Sequence, residues 1–166
     1  MTDTDTHTET LPPLHRTVRP EWIDYNGHMS EAFYVLVFGH ATDAMMIETG
    51  LHSGYRESTG CSLYTVESHI RYLRDVPEGA HLAVRTRVLG AAAKKAHFAH
   101  ELYVVDEPES AVPADAPAVA TTELLALHVD QQAGRAVPFP DAIRERLTAL
   151  TEEAPDWAGR AIARVA

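Results

Sequence analysis

The segment MSEAFYVLVFGHATDAMMI, residues 29–47, decides the fold. It carries formal charges only at Glu31 and Asp43 and contains no proline. Its apolar side chains fall on several sides of a helix, so the segment predicts a helix that is buried on several sides. Thr49 and Gly50 provide the expected C-terminal stop. At 1.5 Å per residue this helix would be roughly 30 Å long, enough to cross a small domain.

Extended segments surround this helix. Alternation of polar and apolar residues predicts a short strand before the helix and four longer strands after it. The predicted strands are residues 14–18, 61–74, 80–90, 95–106 and 118–130. In the first long strand, Tyr64, Val66, Ile70 and Tyr72 are expected to share one face. Consecutive strands with short turns form antiparallel sheet, so the sequence predicts an α+β protein, with one long helix wrapped by a curved antiparallel sheet.

The length and composition set the limits of the chain. Its 166 residues fit a single domain, which is predicted over 13–150. A flexible leader at 1–12 precedes this domain and a tail at 151–166 follows it. A second helix is predicted at 141–150, at the end of the domain. The net charge of −10 disfavours nucleic acid as a partner, and no apolar stretch is long enough to suggest a membrane partner. One cysteine excludes an internal disulfide, and no secretory signal is recognisable, which favours a cytoplasmic location.

Asp24 is the strongest candidate for chemistry. It lies in a loop just before the predicted helix, where a carboxylate can activate water or attack a carbonyl directly. The backbone N–H groups of Gly27, His28 and Met29 are expected to be unpaired donors near the helix start, suited to a developing negative charge. The alternative is that Asp24 is a turn residue, since Asp-Tyr-Asn-Gly is also good turn chemistry.

Three further residues are candidates of lower rank. Asn26 and His28 are expected in the site, although Asn26 before a glycine is also a turn preference. Glu67 interrupts a strand of good β-formers, but a solvated strand face or a subunit contact is the favoured explanation for it. No metal and no cofactor are expected, because His97 and His100 point to opposite faces of a strand and no phosphate-binding glycine loop is present.

Three stretches resemble the hotdog-fold 4-hydroxybenzoyl-CoA thioesterase-like family. They are WIDYNGHMSEAFYV at 22–35, ESHIRYLRDVPEGAHLAVRTRVLG at 67–90 and RAVPFPDAIRERL at 135–147. Their order and spacing carry the resemblance together. The segments FGHATDAMM at 38–46 and LLALHVD at 124–130 are similar in sequence to the betainyl-CoA thioesterase subfamily of carnitine metabolism.

This resemblance implies a hotdog fold and an enzyme that hydrolyses a small acyl-CoA, with Asp24 as the catalytic carboxylate. It also implies a homodimer or homotetramer, with sheets joined edge to edge and sites shared between subunits. Trp22 and Tyr25, beside Asp24, would then bind a trimethylammonium group through cation–π contacts. One departure is Ser30, which stands where many relatives have an asparagine and which lacks an amide donor.

Two other functions fit the same resemblance. A hotdog dehydratase or hydratase would add or remove water while leaving the thioester intact. A non-catalytic acyl-CoA or lipid binder would bind the ester and release no thiol, and Ser30 gives this alternative some weight.

Overall fold

A computed structural model of the chain describes residues 10–166. The helices are α1 (Glu31–Glu48), α2 (Ser53–Thr59) and α3 (Asp141–Leu150), with a 3₁₀ turn at Pro20–Trp22. The strands are β1 (Leu14–Thr17), β2 (Cys61–Tyr72), β3 (His81–Ala91), β4 (Lys95–Val105), β5 (Ala120–Asp130) and β6 (Arg135–Ala136). The predicted leader at 1–12 lies largely outside the described residues, but Leu11 packs against the core.

Six strands form one antiparallel sheet. Its order is β1-β3-β4-β5-β2, with β6 paired to β5, so β2 lies at the edge. One face of this sheet packs against α1, and buried side chains from both form the first core cluster, which includes Tyr34, Val37, Phe38, Val84 and Leu102. Hydrophobic burial of these side chains is the main force that holds the helix on the sheet.

A second core cluster fills the other end of the domain. Met45 and Met46 from the last turns of α1 meet Phe98 of β4, and Leu147 of α3 closes the cluster from the C-terminal side. Gly50 has a φ of +93°, which allows the chain to turn sharply after α1. The domain therefore has one continuous helix-covered face.

The predicted α+β architecture and element boundaries agree closely with the structure, and two differences concern the helices. The connection at 52–60 contains α2, whose first turn is capped by the His52 ring accepting from the Tyr55 N–H. The second difference concerns α1, which is buried on one side only within this chain: Val35, Leu36 and Ile47 are exposed. The helix is apolar on several sides, but a single sheet can cover only one of them.

A β-bulge at Val66 corrects the predicted facing of β2. Thr65 pairs with Ala126, whereas Glu67 pairs with Leu125, so one extra residue is inserted in β2. Because the side-chain period of a strand is two, that insertion reverses the facing of the residues before it relative to those after it. Tyr64 therefore lies on the face opposite Tyr72, not on the same face as predicted.

Two of the polar groups that the sheet buries, His100 and Glu101, are held by side-chain hydrogen bonds. His100 is fully buried, with Nε2 2.9 Å from the Thr42 hydroxyl and Nδ1 2.8 Å from that of Thr86. Since the Thr42 hydroxyl donates to the Phe38 carbonyl, His100 donates from Nε2 and accepts at Nδ1, which is the neutral form. Burial lowers the pKa of His100 from its usual 6.5 to about 3.

The second of these groups, Glu101, lies on the opposite face of the sheet. Its carboxylate is paired with Arg87 and accepts from the Tyr103 hydroxyl, and Glu152 after α3 binds the same Arg87 at 3.0 Å. The tail begins with backbone pairing as well, because the Glu152 N–H donates to the Val88 carbonyl at 2.9 Å. These bonds fix the start of the C-terminal segment across the sheet.

Candidate active site

The loop that carries Asp24 is built by main-chain hydrogen bonds. The N–H of Asp24 donates to the His28 carbonyl at 3.1 Å, and the Gly27 N–H donates back to the Asp24 carbonyl at 3.0 Å. Gly27 has a φ of +82°, a conformation that other residues adopt only with strain. Asp24 Oδ1 accepts from the Asn26 N–H at 2.8 Å, which is an Asx turn. Asp24 thus has the predicted turn role, and Oδ2 has no hydrogen-bond partner among residues 10–166.

The loop is anchored on both sides to the body of the protein. The Met29 N–H donates to the Val76 carbonyl at 2.8 Å, and the Ser30 N–H donates to the Trp22 carbonyl at 2.9 Å. Ser30 then occupies the N-cap position of α1, without a hydrogen bond from its side chain to the helix. The position of Asp24 is therefore determined by backbone contacts.

These bonds correct part of the expectation about oxyanion donors. The Gly27 and Met29 N–H groups are already bonded to carbonyls, so they are not unpaired. The helix begins two residues later than predicted, at Glu31, and its first N–H groups receive no side-chain cap. In an α-helix the first-turn N–H groups lack intrahelical partners, so the N–H groups of Glu31 and Ala32 are better placed as donors to a developing negative charge.

A cleft of about 390 Å³ contains Asp24 and connects the loop to the end of β2. Asn26, His28 and Met29 line it, as predicted for the site. The remaining lining residues are Glu31, Tyr34, Tyr72, Leu73, Arg74 and Asp75. The cleft thus brings the loop, the first turn of α1 and the C-terminal end of β2 together.

Two tyrosines form one wall of this cleft. The rings of Tyr34 and Tyr72 meet edge to face, with centroids 5.0 Å apart and an interplanar angle of 84°. The Tyr34 hydroxyl donates to the Arg74 carbonyl at 3.2 Å, which ties the helix to the end of β2. Burial raises the pKa of both tyrosines, and nearby carboxylates raise it further: Asp75 for Tyr34 and Glu31 for Tyr72.

Three of the predicted site residues lie elsewhere. Trp22 is only 6% exposed, and its ring stacks on Phe33 and contacts the Arg19 guanidinium. Tyr25 is 97% exposed and lines no cleft with Asp24. The predicted pairing of Trp22 and Tyr25 around a ligand is therefore not formed within this chain.

Glu67 lies on the outer face of β2, in a different pocket from Asp24. His69, His97 and Glu123 line that pocket, and Arg160 of the tail borders it. His97 Nε2 is 2.7 Å from a Glu123 carboxylate oxygen, and the other oxygen accepts from the Gly159 N–H. Within one chain, Glu67 does not reach the cleft.

Sequence reasoning missed Glu31, Tyr72 and Asp75. They are 7, 48 and 51 positions from Asp24 in the chain, so only the tertiary fold brings them together. No local sequence pattern connects them with the loop; the connection is the hydrogen bond from the Met29 N–H to the Val76 carbonyl, which is a feature of the tertiary structure. Among residues 10–166, no group of three or more metal-ligating side chains is placed to hold a metal ion, and no helix there is apolar and long enough to cross a membrane.

Comparison with known proteins identifies the class of protein. The model of the thioesterase-like superfamily matches residues 18–147, and the chain belongs to this superfamily. The predicted family, the α+β hotdog fold and the assignment as a thioester hydrolase are thereby confirmed.

Individual relatives are more specific. The chain is 40% identical to the betainyl-CoA thioesterase of Pseudomonas aeruginosa, over 93% of this chain and 95% of that protein. It is 43% identical to the L-carnitine dehydrogenase/betainyl-CoA thioesterase of Agrobacterium fabrum, over 90% of this chain but only 30% of that longer protein. The solved structure of the Staphylococcus aureus protein SAV2348 in complex with CoA superposes with a TM-score of 0.80, at 25% identity, and covers 95% of this chain and 97% of that one.

Proposed function

We propose that this chain hydrolyses betainyl-CoA to betaine and CoA, with Asp24 as the catalytic carboxylate. The observation that carries the proposal is the cleft itself, in which the half-buried Asp24 adjoins the first turn of α1. The similarity to betainyl-CoA thioesterases over nearly the whole chain supports the choice of acyl group. A cytoplasmic location is proposed with it, since acyl-CoA esters are intracellular metabolites.

In the proposed reaction, Asp24 and the start of α1 have different roles. Oδ1 of Asp24 is held by the Asn26 N–H, which leaves Oδ2 to accept a proton from water or to attack the thioester carbonyl carbon. The carbonyl oxygen gains negative charge in the tetrahedral intermediate, and the N–H groups at the start of α1 stabilise it. The C–S bond then breaks and the sulfur leaves as the CoA thiolate. If water attacked, the free acid forms directly and the protonated Asp24 returns its proton to the thiolate. If Asp24 attacked, water hydrolyses the resulting mixed anhydride, which releases the acid, regenerates the Asp24 carboxylate and supplies the proton for the thiolate.

The decisive experiment is thiol release from a panel of acyl-CoA esters by the wild type and by Asp24→Asn. Loss of a general base or nucleophile is expected to lower kcat by about 10²–10⁴ while leaving the fold intact. Asp106→Asn is the matched control, because Asp106 is an exposed carboxylate just after β4 and outside the cleft. An Asp24→Asn enzyme within a few-fold of the wild type would remove the proposed role.

The same panel separates the rival functions. A hydratase or dehydratase would change the acyl chain without releasing thiol, and a non-catalytic binder would bind CoA esters without any turnover. Single-turnover hydrolysis in ¹⁸O water can then distinguish the two routes. Base catalysis places ¹⁸O only in the product acid, whereas direct attack by Asp24, followed by opening of the anhydride at the Asp24 carbonyl, places ¹⁸O in the Asp24 carboxylate.

We further propose that the chain works as a homodimer or homotetramer. Within the part of the chain that the structure describes, β2 pairs only with β5, so its other edge presents unpaired backbone groups over a strand of 12 residues. An exposed apolar edge of this length is normally covered. Val66 and Leu73 are exposed along or beside this edge, and Val35 and Leu36 are exposed on α1. Glu67 lies on the same strand, so its predicted role in a site depends on the second copy, and light scattering measures the oligomeric state directly.

A further inference from the structure

The cleft beside Asp24 has the chemistry of a cation site. Its lining includes three carboxylates, Asp24, Glu31 and Asp75, against one guanidinium, that of Arg74. The His28 ring also borders it, with Nδ1 3.9 Å from an Asp75 oxygen. The three carboxylates outnumber the basic groups of the lining, so its charge is negative, which favours a positively charged group in the cleft.

A quaternary ammonium needs a particular kind of site. It has no N–H group, so a carboxylate cannot bind it by a hydrogen bond, and aromatic faces with nearby negative charge are the usual solution. Tyr72 is the exposed aromatic residue in the lining of this cleft, with 44% of its surface accessible. Its edge-to-face contact with the buried Tyr34 holds the ring in place.

Negative charge lies close to this ring. Glu31, in the first turn of α1, is near enough to Tyr72 to contribute to the raised pKa of its hydroxyl, after the larger effect of burial. Asp75 acts on Tyr34 in the same manner. The aromatic wall and the carboxylates are therefore parts of one surface.

The size of the substrate agrees with this arrangement. In a betainyl thioester, one methylene separates the nitrogen from the carbonyl carbon, a distance of about 2.5 Å for ordinary bond lengths and angles. The group that recognises the nitrogen must consequently adjoin the catalytic carboxylate. Tyr72 and Glu31 share the cleft with Asp24, whereas Trp22 is buried against Phe33 and Tyr25 points into solvent.

We propose that Tyr72 and Glu31 form the subsite that receives the quaternary ammonium of the acyl group and thereby determine specificity for a cationic acyl-CoA. This inference rests on the proposed hydrolysis of betainyl-CoA and names the residues that select the acyl group. The ring of Tyr72 contacts the methyl groups of the cation, and Glu31 supplies negative charge behind them.

The test compares kcat/KM for betainyl-CoA with that for the neutral isostere 3,3-dimethylbutanoyl-CoA, in which carbon replaces nitrogen. The wild type should prefer the cationic ester by tenfold or more, and Tyr72→Leu should reduce the ratio of the two values by about tenfold. Glu31→Gln should reduce it by about threefold or more. Tyr72→Phe keeps the aromatic ring and should retain most of the preference.

Two substitutions provide matched controls. Tyr64→Leu changes a tyrosine of the same strand that is 43% exposed but faces the other side of the sheet, and Glu48→Gln changes the last residue of α1. Both should keep the wild-type ratio. Circular dichroism and light scattering confirm that each variant has the wild-type fold and assembly.

The outcomes separate the inference from the function on which it rests. A wild type that prefers betainyl-CoA, together with unchanged ratios in Tyr72→Leu and Glu31→Gln, overturns the subsite and leaves the proposed function intact. A wild type that hydrolyses both esters equally overturns the acyl-group assignment and the subsite together. A lowered ratio in Tyr72→Leu that is restored in Tyr72→Phe supports the aromatic contact.

Discussion

The buried His100 makes the stability of this protein sensitive to mild acid. Its pKa is about 3 in the folded chain because of burial, against about 6.5 in an unfolded chain. Below pH ~6.5 the unfolded state therefore binds one proton that the folded state does not, so the free energy of unfolding falls as the pH falls. The loss continues until about pH 3, where the folded histidine also becomes protonated.

The magnitude follows from these two pKa values. Between pH 7 and pH 5, the His100 contribution to the free energy of unfolding should fall by about 2 kcal/mol. His100→Gln removes the titrating ring and keeps one donor and one acceptor for Thr42 and Thr86, whose hydroxyls contact the two ring nitrogens. The variant should be less stable at pH 7, but its stability should fall by about 2 kcal/mol less between the two pH values.

Urea unfolding followed by circular dichroism at both pH values, with ionic strength and protein concentration held fixed, measures this difference. Carboxylates also titrate in this range, but they do so equally in both proteins and cancel in the comparison. His69→Gln, on the outer face of β2, should behave as the wild type does. Equal losses in the wild type and in His100→Gln would refute the assignment of His100 as a buried neutral group.

Two other perturbations test the remaining features. Arg87→Met leaves the buried Glu101 with the Tyr103 hydroxyl and the more distant Arg85 as its partners among residues 10–166. It should lower the free energy of unfolding, measured by urea titration, by about 3 kcal/mol. A decrease of less than about 1 kcal/mol would show that the Arg87–Glu101 ion pair contributes little to stability. Val66→Lys, on the exposed edge of β2, should shift light-scattering mass towards the monomer, whereas Val104→Lys, on the interior strand β4, should not. A wild type that is monomeric at micromolar concentration would contradict the proposed assembly.

The sequence predicts the helices and strands of this fold better than it predicts strand register and the burial of helix faces. Hydrophobic periodicity locates α1, α3 and the long strands because each of these signals is local. The bulge at Val66 is not local, since it depends on how β2 registers against β5, and it reverses the facing that simple alternation assigns to Tyr64. The exposure of Val35 and Leu36 likewise depends on which surfaces of α1 this one chain can cover.

The same distinction applies to the candidate site. Asp24, Asn26 and His28 were predictable because they belong to one continuous loop. Trp22 and Tyr25 belong to that loop too, but proximity in sequence does not determine direction: Trp22 turns into the core and Tyr25 turns into solvent. The partners of Asp24 across the cleft come from β2 and the residues that follow it, and no local pattern connects them with the loop.

Backbone hydrogen bonds and side chains contribute to different parts of this site. The position of Asp24 is maintained by backbone bonds, including Met29 to Val76 and Ser30 to Trp22, which do not require particular side chains at those positions. A serine at position 30 is therefore compatible with an intact catalytic loop, because its main-chain N–H makes the anchoring bond and its side chain makes no capping bond. In the proposed subsite, in contrast, recognition of the acyl group depends on the side chains of Glu31 and Tyr72, which contribute no backbone bond to the Asp24 loop. Substitutions there can change the preferred acyl group while the carboxylate stays in place.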